Sequence, residues 1–131
     1  MVEIVFGFDF GVKRIGIAMG NTLTGQAQPL SVIKAIDNAT RFKAIGELIE
    51  QWKPARLVVG EPRHPDGAEH EMTLRSRRFA NQLHGRFSLP VELVDERYSS
   101  AVIPAKRGEI IDAKAAAIIL QQSFDDHANN Y

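Results

Sequence analysis

The order of apolar and turn-forming segments predicts an α/β fold, a mixed five-stranded sheet with helices on its faces. Three observations carry this expectation. Two runs rich in β-branched and aromatic residues flank a short turn near the start of the chain, as strands paired back on one another do. Further strand-type runs then alternate with helix-type runs, the pattern of βαβ crossovers. With 131 residues, no internal repeat and no low-complexity stretch, residues 1–131 read as a single domain able to bury its own core.

The first strand is expected from Val2 to Asp9, followed by a turn containing Gly11, Lys13 and Arg14. Ile15, Ile17 and Met19 alternate with small residues, which suits a second strand. Turn signals at Thr24-Gly25 and Pro29 predict a third, short strand over Leu30 to Ala35. Thr40 can cap a helix whose apolar positions Phe42, Ile45, Leu48, Ile49 and Trp52 recur at helical spacing, with Pro54 beyond its end. Arg56 to Gly60 reads as a buried parallel strand, and Glu61 to Gly67, with two prolines, as a loop. Glu69 to Phe87 reads as a long helix with Met72, Phe79, Leu83 and Phe87 on one face. Pro90 to Val94 completes the sheet, and Ile110 to Phe124 forms the last helix.

Composition excludes several classes. There is no cysteine, hence no disulfide scaffold, thiolate zinc site or cysteine nucleophile. The apolar runs are far shorter than the ~20 residues that span a bilayer, and the amino terminus lacks signal-peptide order, so a cytoplasmic protein with no membrane partner is expected. Sixteen basic residues balance sixteen acidic ones; taken by itself, that balance argues against nucleic-acid binding.

Sheets of this kind place their chemistry where strand ends meet loops, which directs attention to acids there. Asp9 lies in an otherwise apolar strand, where a carboxylate is costly unless paired or bound to metal. Gly11 and Gly16 leave room for a phosphate or a backbone to approach. Asp95-Glu96-Arg97 follows a strand, and adjacent residues there project to opposite sides, so one of the two acids faces Asp9. Asp112 opens an apolar helix, where it serves either as a cap or as a carboxylate facing the strand ends. Three converging carboxylates repel one another unless a cation relieves them, and hard oxygen ligands suit Mg²⁺ or Mn²⁺. Spacing leaves open whether they converge. Lys13, Arg14 and Arg97 flank these acids directly. Arg75, Arg77, Arg78 and Arg86 form a basic stretch that suits either a solvated helix face or a phosphate-contact face. His64, His70, His84 and His127 show no metal-ligand spacing, and Ser99-Ser100 lacks a nucleophile elbow.

The sequence from Gly7-Phe8-Asp9-Phe10-Gly11 through Lys13-Arg14-Ile15-Gly16-Ile17-Ala18 resembles the opening motif of the YqgF/RuvX family of RNase H-like nucleases. Val58-Val59-Gly60-Glu61-Pro62, Asp66-Gly67, Arg78-Phe79-Ala80, Leu89-Pro90-Val91, Asp95-Glu96-Arg97-Tyr98-Ser99-Ser100 and Ile111-Asp112-Ala113-Lys114-Ala115-Ala116 continue the resemblance in order along nearly the whole chain. It implies an RNase H-like fold with Asp9, Glu96 and Asp112 as catalytic metal ligands for Mg²⁺ or Mn²⁺. Asp95 would support them. The placement of the other residues, read directly, adds Gly11 and Ser99 as supports and Lys13, Arg14, Arg75, Arg78 and Arg97 as expected nucleic-acid contacts. The implied activity is metal-dependent phosphodiester hydrolysis, with processing of the 5′ end of pre-16S ribosomal RNA as the leading expectation. The partner is then structured nucleic acid, RNA favoured over DNA, with the ribosomal small-subunit precursor as a candidate and a monomer or weak dimer as the acting form. Alternatives are a Holliday junction resolvase acting on branched DNA and a catalytically silent RNA- or ribosome-binding module. One departure stands out: only Ala101 to Ile111 separates Ser100 from Asp112, where family members usually carry a longer, often basic helix and loop.

Charge balance takes on another meaning in this light. With three acids assigned to metal and Asp125-Asp126 expected on a terminal tail, sixteen bases face eleven remaining acids. Zero net charge is then compatible with nucleic-acid binding through metal and local basic patches.

Overall fold

A computed structural model describes residues 2–62, 66, 68–69, 71–95 and 113–128. Strands β1 (Ile4–Phe10), β2 (Arg14–Asn21) and β3 (Gln26–Lys34) precede helix α1 (Asn38–Trp52). Then follow β4 (Arg56–Glu61), α2 (Glu71–Phe87), β5 (Val91–Asp95) and α3 (Ala113–Ala128). The five strands form one sheet in the order β3-β2-β1-β4-β5. The first three pair antiparallel, whereas β1, β4 and β5 run parallel. This is the mixed sheet expected, with α1 and α2 on one face and α3 on the other.

Alternation in β1 divides the core. Phe6 and Phe8 point to the α1/α2 face, where they pack with Ile15, Ile17, Leu57, Val59, Phe42 and Phe79. Phe79 meets Phe8 edge-on at 5.8 Å and Phe10 at 4.8 Å. Each such ring, once buried, contributes about 1.5–3 kcal/mol. Val5 points the other way and joins Ala18, Val58, Val94, Ala116, Ile119, Leu120 and Phe124. Gly7 shares that face with Val5, and α3 lies directly on it. A Cβ at Gly7 would stand 2.7 Å from Leu120 Cβ and 3.0 Å from the Ala116 carbonyl oxygen, and one at Gly20 would meet the Phe124 ring at 2.6 Å.

Several elements differ from the expected ones for identifiable reasons. β3 begins at Gln26, well before Leu30, and runs through Pro29. It is an edge strand, and a register shift between Ile17 and Ala18 absorbs the proline, which has no N–H to give the ladder. Helix α1 is capped by Asp37, not Thr40: the Asp37 carboxylate accepts from the Thr40 N–H at 2.9 Å. The Thr40 hydrogen bonds hold that carboxyl below its ordinary 3.8. The cap is therefore fully present above that value and is lost as pH falls through the lowered one. Lys53 ends the helix in the left-handed conformation, with its N–H on the Ile49 carbonyl at 2.7 Å. Helix α3 continues to Ala128, so Asp125 and Asp126 lie on its exposed last turns instead of on a tail. The expected start of that helix at Ile110, and the shortened segment from Ala101 to Ile111, lie outside the described residues.

The contact at Gly7 has a testable sign. Gly7→Ala should destabilise the protein by about 1–3 kcal/mol through overpacking against backbone. Gly85→Ala, in α2 with nothing within 4 Å of the added methyl, should stabilise it by about 0.5–1 kcal/mol. Urea melts of the two variants check both.

Candidate active site

Because β1, β4 and β5 are parallel, their C-terminal ends share one edge of the sheet. The β4–β5 register pairs Gly60 with Val94 and Glu61 with Asp95. The β1–β4 register, from Val5 opposite Arg56 to Phe8 opposite Val59, continues to bring Asp9 beside Gly60. Alternation with Val5 puts half-buried Asp9 on the α3 face. Helix α3 runs antiparallel to β1, with Ala116 and Leu120 over Gly7 and Phe124 over Gly20 nearer the other end. Its first turn is thus directed to the Asp9 end.

Side-chain hydrogen bonds hold α3 in this orientation from both sides. Gln121 accepts from the Ala27 N–H at 3.0 Å and donates to the Gly25 carbonyl at 2.9 Å. Buried Ser123 donates to Glu92 Oε1 at 3.1 Å, and Arg56 Nη1 and His127 Nε2 meet the same oxygen at 3.1 and 3.0 Å. Gln122 donates to the Asp95 carbonyl at 3.2 Å.

Asp95 ends β5 on this edge. Glu92 and Val94 face α3, so alternation turns Asp95 to the opposite face from Asp9. Glu61 also reaches the edge, on the α2 face; it is 7% exposed and accepts from Arg77 Nε at 3.0 Å. Arg77 bonds Glu69 at 2.9 Å as well, and these hydrogen bonds, with Glu69 first, raise its pKa above the ordinary arginine value. Thr73 donates to the Pro62 carbonyl, tying the start of α2 to the same strand end.

Of the basic candidates, Lys13 is exposed on the turn out of β1, and Arg14, partly buried, begins β2. Gly11 is buried in that turn. Arg75 is held by Glu71 at 2.7 Å, an i,i+4 pair on the exposed face of α2, and Arg78 is exposed one turn on. Glu96, Arg97, Ser99 and Asp112 lie outside the described residues. Among the described residues no three acids or histidines cluster so as to hold a metal ion.

Arg41 is the residue that the sequence reading missed. It is only 5% exposed, and its guanidinium donates to the Ala35 carbonyl at 2.7 Å, to Gly11 at 3.2 Å and to Val12. It also lies 5.4 Å from the centre of the Phe10 ring. Burial lowers its pKa, against the pull of Asp37. One side chain thereby fixes the turn that carries Lys13 and Arg14. The available signal was position: Arg41 lies four residues before Ile45, on the apolar stripe of α1, where a cation needs partners.

A cleft of about 560 Å³ at the other end of β1, between Trp52 and the β2–β3 hairpin, is lined by no titratable side chain among the described residues. Asp9, with Lys13 and Arg14 on the turn that follows it, makes the C-terminal edge the candidate site of chemistry.

Residues 3–126 match the family model described as RuvX: Holliday junction resolvase. The chain belongs to the RuvX family. Relatives of this RuvX chain include a protein from Paraburkholderia phytofirmans, 51% identical over 133 residues, covering 97% of this chain and 91% of that one. Another, from Burkholderia mallei, is 55% identical over 127 residues, covering 92% and 87%. Both carry the name "Putative pre-16S rRNA nuclease". The structure of Thermus thermophilus RuvC in complex with a Holliday junction substrate superposes with a TM-score of 0.60 at 18% identity, covering 96% of each chain. The fold is thus RNase H-like, as the resemblance implied, and the family is one of nucleases. No helix among the described residues is long and apolar enough to cross a membrane.

Arg41→Ala should leave three carbonyls without their donor and cost about 2–3 kcal/mol. Arg41→Lys, with no planar fork, should recover only part of that loss. Chemical denaturation of the three proteins checks both statements.

Proposed function

We propose that this RuvX-family chain is a divalent-metal-dependent endonuclease that hydrolyses phosphodiester bonds in structured RNA, with processing of the 5′ end of pre-16S ribosomal RNA as its task. The supporting observation is the position of Asp9 at the C-terminal edge of three parallel strands, beneath α3. Glu96 follows Asp95, the last residue of β5 at that edge. Asp112 precedes Ala113, the first residue of α3, whose packing over Gly7 directs the helix start to the Asp9 end.

The donor set fits the ion. Asp9, Glu96 and Asp112 offer carboxylate oxygens only, hard ligands suited to Mg²⁺ or Mn²⁺. Without a cation such a trio would raise its own pKa values. Bound there, such ions supply an activated water and neutralise charge on the phosphate.

The chain's own residues perform the rest. Lys13 and Arg14 would hold the phosphate from the turn out of β1, with Arg97 beside the later acid. Arg41 keeps that turn in place through the Gly11 and Val12 carbonyls, and buried Gly11 lets the backbone pass close to the phosphate. Asp95, facing away from Asp9, acts by supporting the strand end, and Ser99 by orienting phosphate. The names of the Paraburkholderia and Burkholderia relatives favour RNA. The description of the family model favours a second reading, cleavage of a four-way DNA junction.

Asp9→Asn should abolish Mg²⁺-dependent cleavage of a pre-16S fragment while its melting temperature stays that of the parent. Undiminished cleavage by the pure variant would overturn the assignment. Cleavage of a synthetic four-way junction in preference to the RNA would establish the second reading.

A further inference from the structure

On the opposite face of the same edge, a groove of about 450 Å³ opens between the start of α1, the middle of α2 and the end of β1. Its lining includes Phe10, Val12 and Ile36, together with Arg41, Arg75 and Arg78. No acid lines it. Glu71 offsets Arg75, and Arg41 is committed to carbonyls. Arg78 is exposed and forms no hydrogen bond or ion pair with the described residues. Asp37, the acid nearest in sequence, is occupied by the Thr40 N–H.

Apolar side chains are exposed at this place. Ile36 is 68% exposed and Val12 43%, beside the half-buried Phe10 ring. Apolar surface interleaved with cations matches a single nucleic-acid strand, which presents phosphates and base faces together. A duplex hides its base faces and would meet only the cations. Phe10 adjoins Asp9 in the chain but points to the other side of the sheet, so a strand leaving Asp9 over the edge enters the groove directly.

We propose that this groove binds the single-stranded segment of RNA next to the phosphate that is cut, with Arg78 on its phosphates and Phe10, Val12 and Ile36 under its bases. The position of the cut and the choice of RNA rest on the function proposed above, whereas binding in the groove can be measured without either.

The test uses Asp9→Asn protein in EDTA, so that cleavage plays no part, and fluorescence anisotropy with a short unstructured RNA and with its duplex. Adding Arg78→Ala should weaken single-strand binding several-fold and reduce the slope of log K against log salt by about 0.7, the value for one lost phosphate contact on a single strand. Ile36→Asp should weaken it by about tenfold, because it removes an apolar contact to a base and sets a negative charge beside the phosphates. Lys43→Ala, exposed on α1, should change it less than twofold. All three variants should melt with the parent. Single-strand affinity unchanged in both groove variants, a loss in Lys43→Ala equal to theirs, or a duplex bound as tightly with the same losses would each overturn the proposal. So would sedimentation in which the groove variants alter self-association and leave RNA binding intact, since the occupant would then be a second copy of the chain. Cleavage that fails in the parent protein while these binding losses persist would refute the proposed function and leave the groove standing.

Discussion

The close approach of α3 to β1 at Gly7 is the constraint on which the rest of the molecule depends. A helix can lie with its backbone against a strand only where the strand has no side chain, and Gly7 provides that gap in the middle of β1. With Leu120 and Ala116 seated there and Phe124 on Gly20, the helix has one direction and one height over the sheet. Gln121 on the hairpin side, and Ser123 and His127 on the β5 side, prevent it from rolling. The glycine and the acid are two residues apart on one face, so packing and chemistry are set by the same stretch of strand.

The neutral balance of charge has a structural explanation in the described residues. Many of the cations have intramolecular partners: Arg77 with Glu61 and Glu69, Arg75 with Glu71, Arg56 with Glu92, Lys53 with Glu50. The exposed pairs add little stability, but they remove positive charge from most of the surface. Exposed cations without an ion pair among the described residues include Lys13 on the turn and Arg78 on α2, and also Lys34 and Lys43. Cations without an ion pair therefore reach this edge although the whole chain carries no net excess.

Much of the fold was legible because strand and helix periods are imposed by burial. Phe6 and Phe8 against Val5 and Gly7, and Phe79 and Leu83 along α2, repeat with the periods of the surfaces they cover. The errors arose where a local signal had two physical outcomes. Pro29 marks a turn in most contexts, yet it is tolerated in an edge strand beside a bulge. Asp37 and Thr40 both suit a helix cap, and only backbone geometry decides between them. At the candidate site, Asp9 stands out in the sequence because an acid in an apolar strand demands a reason. Arg41 was passed over because its partners are main-chain carbonyls, 29 and 30 residues away for Val12 and Gly11, and no sequence pattern marks a carbonyl. Arg75 was read only as part of a basic stretch, although Glu71 precedes it at the i,i+4 spacing at which the two pair. The faces of Asp9 and Asp95 follow from register, which spacing alone does not supply.

The central claim is that Asp9, Glu96 and Asp112 gather around the same metal ions at this edge. A crystal structure of the protein soaked with Mn²⁺, read at the anomalous edge of manganese, tests it most directly. The account predicts manganese in direct contact with carboxylate oxygens of all three residues, on the face beneath α3. Manganese bound elsewhere, or the three carboxylates more than about 10 Å apart, too far to share ions that act ~4 Å from one another, would contradict it.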